Sequence, residues 1–244
     1  MIYRARKSQL SYGRPIGILA LEEHIPCPPG TPGNPTTFAH PVCYEIVPGT
    51  STADLVRPHG PEAAHPFIRA GEALVRRGAG AVIGNCGLMI VHQAALARAL
   101  PVPVFMSSLL QLPLLAQAVG PAARIGVIAS SRRNFRPEHL KLAGLADESP
   151  VVVATMDGRR HFEAAVVEET GTLDFDAVEA EVVEVALSLV AGAPGIRAIL
   201  FECVDLPPYA AAVQQAVGLP VFDITTLVSH VVSAVARRPF AGVY

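Results

Sequence analysis

Two segments of the chain repeat one another without a gap. Residues 80–105 align with residues 197–222 at a constant offset of 117 positions, and eight of the 26 aligned pairs are identical. The identical pairs include Cys86 with Cys203 and a Pro-Val-Phe triplet at the end of each segment. Each segment has the pattern of a hydrophobic strand, a helix and a second strand. A repeat of this kind indicates two copies of one structural unit.

The apolar runs of the chain predict a parallel α/β fold. Buried strands are expected at 16–21, 44–47, 81–85, 102–106, 124–129, 151–154, 198–202 and 221–223. Amphipathic runs predict helices at 61–77, 88–100, 109–119, 137–145, 174–191, 207–217 and 225–237. Strands that are apolar on both faces and alternate with helices are typical of mostly parallel sheets between two helical layers. The repeat divides this chain into two related halves with a cleft between them.

Composition and charge exclude several classes of partner. Lys and Arg number 19 against 21 Asp and Glu, so there is no basic surplus with which to hold a nucleic acid. The uncharged stretch at 99–123 is long enough to span a bilayer, but four prolines divide it, and no membrane partner is expected. The four cysteines, at 27, 43, 86 and 203, form no C-x-x-C pair, which disfavours zinc-ribbon and thioredoxin chemistry. The chain is not a short disulfide scaffold, so reduced thiols and a cytoplasmic location are expected.

Cys86 and Cys203 are the candidate catalytic residues. Each follows a predicted buried strand and precedes a helix, and ligands of open parallel sheets bind at such strand ends. The following helix is expected to lower the pKa of each thiol, although Glu202 and Asp205, which bracket Cys203, could raise its pKa instead. Two equivalent thiols on opposite faces of one carbon can remove a proton from one side and return one to the other, which is racemisation. Cys27 and Cys43 have no partner in the repeat and are expected to be ordinary apolar side chains.

Other residues near the strand ends are candidates for binding the substrate. Backbone N–H groups at Gly87 and Val204 begin the two helices and can stabilise a negatively charged intermediate. Polar candidates flank the cysteines or follow other strands, and they are Asn85, Ser108, Ser130, Ser131, Asp205 and Thr225. Arg132, Arg133 and Arg136 follow the two serines. They could attract a carboxylate, but a solvated helix start is the expected position for them.

The sequence does not favour a metal or an organic cofactor. His59, Glu62 and His65 have a spacing similar to that of a metal-binding motif. However, side chains six positions apart cannot share one face of a helix, and prolines interrupt this stretch. The chain also lacks the glycine-rich nucleotide loops and the G-x-S-x-G motif of serine hydrolases. We therefore expect catalysis without metal or cofactor.

Four motifs together resemble the aspartate/glutamate/hydantoin racemase superfamily. They are I-G-N-C-G at 83–87, F-E-C-V-D-L-P-P-Y at 201–209, P-V-F-D-I-T-T-L at 220–227 and G-N-P-T-T-F at 33–38. The resemblance implies cofactor-independent two-cysteine catalysis in a cleft between two pseudo-symmetric domains, one of residues 1–115 and 220–244 and one of residues 116–219. It also implies a small carboxylate or cyclic amide as substrate, and a homo-oligomer. Asn34, in the fourth motif, becomes a further candidate for substrate binding.

The residues beside the cysteines leave the reaction open. Gly87, directly after Cys86, departs from the motif of glutamate racemases. A Cys-Gly pair at this position resembles the motif of hydantoin racemases, maleate isomerases and arylmalonate decarboxylases, and the decarboxylases keep only the second cysteine. Racemisation of a hydantoin or an amino acid is the expected activity. Two alternatives are cis–trans isomerisation of the maleate type, in which one thiolate adds to the double bond, and a binding protein without turnover. Thiol reactivity separates the enzymes from the binding protein, which needs no ionised cysteine.

Overall fold

Two four-stranded parallel sheets form the centre of the protein. The computed structural model describes residue 13 and residues 15–57, 60–145 and 150–242. The first sheet has the order β2-β1-β3-β4, with β1 (Ile16–Ala20), β2 (Val42–Ile46), β3 (Ala81–Gly84) and β4 (Val104–Phe105). The second has the order β6-β5-β7-β8, with β5 (Arg124–Ala129), β6 (Val151–Thr155), β7 (Ile196–Phe201) and β8 (Val221–Phe222). The two sheets therefore have the same topology, as the repeat predicts.

Helices flank both sheets. The α-helices are α1 (Thr52–Val56), α2 (His65–Arg76), α3 (Gln93–Ala99), α4 (Leu112–Val119), α5 (Pro137–Leu142), α6 (Arg160–Phe162), α7 (Phe175–Gly192), α8 (Ala210–Val217) and α9 (Ile224–Val235). Short 3-10 helices lie at Pro35–Thr37, Pro61–Ala64, Gly87–His92, Ser108–Gln111 and Pro207–Tyr209, and a π-helix at Glu163–Val167 continues α6. Within the described ranges, no helix is both long enough and apolar enough to cross a membrane.

The predicted α/β fold is confirmed, and most of its elements are present. All eight predicted strands exist, and β5 has the predicted bounds. The helices expected at 61–77, 88–100, 109–119 and 207–217 each begin with a 3-10 turn before they become α-helical. Two segments lack a sequence signal, namely α1 and the α6–π segment, because a helix of one or two turns shows too little periodicity to be recognised.

The helix that follows the last strand of each sheet packs on the opposite sheet. α4 follows β4 of the first sheet but packs against β5 and β7 of the second. α9 follows β8 of the second sheet but packs against β3 of the first, where Leu227 and Val228 join Ile83 in one buried cluster. This exchange of helices fastens the two halves together. The division into domains at 115/116 and 219/220 stays a prediction. β8, which follows the second of these boundaries, belongs to the second sheet.

The two central strands deliver the cysteines of the repeat to corresponding places. Cys86 lies two residues after the end of β3, and Cys203 lies two residues after the end of β7. Both strands hold the third position in their sheets. Ser108 connects the two halves near Cys203, since its hydroxyl donates a 2.7 Å hydrogen bond to the carbonyl oxygen of Phe201 at the end of β7. The topology thus brings the two thiols to the boundary between the sheets.

The exchange of helices predicts different effects of two substitutions on neighbouring residues of α4. Leu115 is 4% exposed in the large core, whereas Leu114 is 67% exposed. Leu115→Ala should lower the free energy of unfolding by about 2–5 kcal/mol because it leaves a cavity in the core. Leu114→Ala should change it by less than about 0.5 kcal/mol. Chemical denaturation measures both, and equal effects would show that α4 does not anchor the second sheet.

Candidate active site

A cavity of about 620 Å³ lies at the carboxyl ends of the central strands. Both repeat halves contribute to its wall, and Cys86 and Cys203 both line it. Cys86 is partly exposed, and Cys203 is 8% exposed. A cavity of this size is large enough for a small organic molecule.

Eight of the residues predicted from the sequence line this cavity. They are Asn85, Cys86, Gly87, Ser130, Ser131, Cys203, Val204 and Asp205. Arg133 and Arg136 also line it, which corrects the expectation that they form only a solvated helix start. Arg132 instead donates its backbone N–H to Asp157, at 2.9 Å from Oδ2.

Three predicted substrate-binding residues have structural contacts instead and do not line the cavity. Asn34 caps the 3-10 helix that follows it, since its Oδ1 accepts from the backbone N–H of Thr36 at 2.9 Å. Ser108 is 1% exposed, and its hydroxyl donates the hydrogen bond to the carbonyl oxygen of Phe201 in β7. Thr225 binds the capping carboxylate of Asp223, at 2.7 Å from both its N–H and its hydroxyl. Short polar side chains commonly take such capping positions.

The metal-like spacing near residue 60 has no support in the described residues. His59 lies outside them, Glu62 belongs to a 3-10 helix, and His65 begins α2. Among the described residues, no group of three or more His, Cys, Asp or Glu side chains is placed to hold a metal ion.

Cys203 is paired directly with a carboxyl group. Its thiol donates to Asp205, with 3.4 Å between Sγ and Oδ2. Burial raises the pKa of Asp205 to about 6, and the bond from Cys203 partly opposes this rise. At neutral pH Asp205 is therefore mostly ionised and able to accept the thiol proton.

Cys86 is linked to a second carboxyl group through a hydroxyl. Thr52 Oγ1 lies 4.0 Å from Cys86 Sγ and donates to Glu23 Oε1 at 2.8 Å. Burial, followed by the charge of Asp205, raises the pKa of Glu23 to about 7. Each thiol thus has a carboxyl group nearby, one in direct contact and one relayed by Thr52.

The expectation of a net fall in the thiol pKa values is wrong. Burial raises the pKa of both thiols well above the usual value, and nearby carboxyl groups, chiefly Glu23 at Cys86 and Asp205 at Cys203, raise it further. The backbone N–H groups of Leu88 and Asp205 oppose this rise only in part. The two cysteines are therefore thiols in the free protein, and a thiolate forms only when a base accepts the proton.

Glu202 lies between the two halves beside the cysteines. It is 1% exposed, and burial raises its pKa to about 8, although the backbone N–H of Ser130 partly opposes the rise. A Cβ atom at Gly87 would collide with both the carbonyl and the carboxyl oxygen of Glu202, so this contact requires glycine. Glu202 and Asn85 occupy equivalent positions of the repeat, and among the described residues Glu202 Oε2 and Asn85 Oδ1 have no hydrogen-bond partner.

Sequence reasoning missed Glu23, Thr52 and Glu169, which line the cavity from segments without predicted site residues. Glu23 follows β1, Thr52 begins α1, and Glu169 follows the π-helix. A signal existed for Glu23, because β1 is the counterpart of β5 and the residues after β5 were already candidates. Thr52 and Glu169 had no such signal, since their placement depends on tertiary packing.

Comparison with known proteins assigns the chain to a family. A dimethylsulfoniopropionate lyase from Durusdinium sp. clade D is 32% identical over 234 residues, and the match covers 93% of this chain and 77% of that protein. The chain belongs to the dimethylsulfoniopropionate lyase family. Dimethylsulfoniopropionate lyase 3 of Emiliania huxleyi is also 32% identical, over 237 residues that cover 93% of this chain and 61% of the relative. The chain thus spans less than two thirds of that longer relative. No protein-family model matches it.

Solved structures show which fold this lyase-family chain has. Unliganded arylmalonate decarboxylase has a TM-score of 0.61 at 17% identity, with 93% of this chain and 94% of that one covered. Glutamate racemase RacE1 from Bacillus anthracis has a TM-score of 0.56 at 17% identity, with 91% and 82% covered. The resemblance to the aspartate/glutamate/hydantoin racemase superfamily is therefore confirmed at the level of the fold.

The buried carboxyl group of Glu202 predicts a pH-dependent stability. In the folded protein Glu202 keeps its proton up to about pH 8, whereas in the unfolded chain it loses the proton near pH 4.5. The free energy of unfolding should therefore fall as pH rises through this range. Glu202→Gln should reduce that fall, to which the raised pKa values of Glu23 and Asp205 also contribute. The variant should be more stable than the parent at pH 8 by a few kcal/mol, on the order of the shift.

Denaturation of both proteins at pH 5 and pH 8 measures the Glu202 effect. Glu168→Gln, which changes an exposed carboxylate, is the control and should follow the parent at both pH values. A stability difference between Glu202→Gln and the parent that is the same at both pH values would contradict the raised pKa.

Proposed function

We propose that the protein is a lyase that removes the α-proton of dimethylsulfoniopropionate and expels dimethyl sulfide. The observation that carries this proposal is the hydrogen bond between Cys203 and Asp205 in the wall of the cavity. It joins a proton-accepting carboxylate to a thiol at a site for a small carboxylate. Membership in the dimethylsulfoniopropionate lyase family supports the same substrate.

The reaction is a β-elimination in which every proton and electron pair has a destination. Asp205 accepts the proton of the Cys203 thiol, and the resulting thiolate takes the proton from the carbon next to the substrate carboxylate. The electrons of that C–H bond form the carbon–carbon double bond of acrylate. The bond from the β-carbon to sulfur breaks, and its electrons leave with neutral dimethyl sulfide. Asp205 finally releases its proton to water.

The cavity also holds groups suited to the carboxylate end of the substrate. Arg133 and Arg136 line it from the segment between β5 and α5, and Ser130 lies at the end of β5. Removal of the α-proton pushes negative charge onto the carboxylate oxygens. Guanidinium groups and hydroxyls that bind these oxygens stabilise that charge most strongly in the transition state.

Racemisation of a small carboxylate or cyclic amide is the second candidate, and the second thiol favours it. Cys86 lines the same cavity and has its own carboxyl group through Thr52. Elimination of a sulfonium needs one base only, because dimethyl sulfide leaves as a neutral molecule without a proton. Racemisation needs a base on one face and an acid on the other, so it requires both cysteines. The two activities therefore differ in their dependence on Cys86.

The proposal predicts which cysteine the lyase reaction requires. Cys203→Ala should lower the rate of dimethyl sulfide release by about 10²–10⁴, the usual contribution of a general base. Cys86→Ala should retain more activity than Cys203→Ala. Cys27→Ser, which changes an exposed cysteine outside the cavity wall, should leave the rate unchanged. Headspace gas chromatography of dimethyl sulfide, with acrylate measured in parallel, records all three.

Two results would overturn the proposal. The first is that the parent protein releases no dimethyl sulfide above the uncatalysed rate. The second is that Cys203→Ala releases it at the parent rate. If the parent instead exchanged the α-proton of an amino acid or a hydantoin with solvent deuterium and inverted it, and either cysteine variant abolished this, racemisation would replace elimination.

A further inference from the structure

The cavity wall carries two groups of charge that come from different segments. Carboxyl groups of Glu23, Glu169, Glu202 and Asp205 line it, and so do the guanidinium-bearing Arg57, Arg133 and Arg136. Arg133 and Arg136 belong to the segment between β5 and α5, whereas Arg57 follows α1 and forms an ion pair with Asp54 at 3.3 Å. The carboxyl groups come from the residues after β1, after the π-helix and after β7. A cavity with both signs of charge is suited to a zwitterion.

The carboxyl groups are close enough to repel one another. The charges of Asp205 and Glu169 both act on Glu23, and the charge of Glu169 acts on Asp205, in each case raising the pKa. A bound cation would relieve this repulsion. Glu202 gives an independent indication of a bound ligand, because it is 1% exposed in the cavity wall and its Oε2 has no hydrogen-bond partner among the described residues. A protonated carboxyl group needs an acceptor, which the carboxylate end of a zwitterion supplies.

Glu169 is held at the cavity by contacts between the two halves of the chain. Its Oε2 accepts from the backbone N–H of His24 at 2.8 Å, and its carbonyl oxygen lies 3.3 Å from His24 Nδ1. Its φ of 51° places it in the left-handed region, which strains any residue other than glycine. Gly171 follows with a φ of 76°, and a Cβ atom there would collide with the His24 ring. The backbone is thus fixed so that this carboxylate faces the cavity.

Aromatic rings are the usual alternative for binding a methylated cation. None of the described residues in its wall has an aromatic side chain. Cation–π contacts to those residues are therefore ruled out, and opposite charge is the available attraction. A sulfonium or quaternary ammonium group has no N–H to donate, so it needs nearby charge rather than a directed hydrogen bond.

We propose that Glu169 and the adjoining carboxyl groups of Glu23 and Asp205 form a binding site for the onium cation of a zwitterionic carboxylate. Arg133 and Arg136 hold the carboxylate of the same molecule. This inference deepens the proposed function and rests on it for the identity of the cationic end as a sulfonium. It makes Glu169 a substrate-binding residue that selects onium carboxylates over neutral carboxylates of the same shape.

Two ligands that differ only in charge test this selection without turnover. 3-(Trimethylammonio)propionate carries a quaternary nitrogen at the place of the sulfonium, and 4,4-dimethylpentanoate carries a neutral carbon there. Isothermal titration calorimetry with each ligand gives the preference of the protein for the cation. The parent should bind the ammonium compound at least about tenfold more tightly, as expected for one partly screened charge pair.

Two variants test whether Glu169 causes the preference for the cationic ligand. Glu169→Gln removes the charge, but its amide oxygen can still accept from His24, so the loop keeps its contact. This variant should lose most of the preference for the cation and retain its affinity for 4,4-dimethylpentanoate. Glu168→Gln removes an exposed neighbouring carboxylate outside the cavity wall and should keep the full preference.

The outcomes separate this inference from the proposed function. If the parent binds both ligands equally, or if Glu169→Gln keeps the full preference, the onium site is wrong, whether or not dimethyl sulfide is released. If the preference exists and depends on Glu169 in a protein that releases no dimethyl sulfide, the onium site stands and the lyase reaction is wrong.

Discussion

Burial of thiols and carboxyl groups in one cavity is the constraint on which the chemistry of this protein depends. A buried thiol keeps its proton at neutral pH, so neither Cys86 nor Cys203 is a base by itself. Asp205 titrates near pH 6 and touches the Cys203 thiol, which makes it the group able to take that proton. The reactive unit is therefore the pair of residues rather than the cysteine alone.

The duplicated topology explains why such a cavity exists. Each central strand ends two residues before a cysteine, and the exchange of α4 and α9 between the sheets holds the two strand ends at one boundary. The two halves share a topology, but their cysteines have different surroundings. Cys203 contacts a carboxylate directly, whereas Cys86 reaches Glu23 through Thr52. This asymmetry fits elimination, in which one base suffices, better than racemisation, in which both faces need equivalent groups.

The sequence predicts the fold and the centre of the site because both depend on local patterns and on the repeat. Apolar runs identify the strands, and the offset of 117 identifies Cys86 and Cys203 as equivalent. The pattern could not reveal Glu169, since a short π-helix and one left-handed residue place it at the cavity. It also gave the wrong direction for the thiol pKa values. The favourable helix N–H groups and the acids beside Cys203 are visible in the sequence, whereas the burial of both thiols and the approach of Glu23 to Cys86 exist only in the folded chain.

The pH dependence of dimethyl sulfide release tests the central claim most directly. If Asp205 must be ionised to accept the proton of Cys203, kcat/KM should rise with pH through about 6 and then level off. Asp205→Asn should lose this rise, together with most of the rate. A rise near pH 6 that persists in Asp205→Asn, or a parent rate that increases only in the range where an isolated buried thiol ionises, would contradict the account.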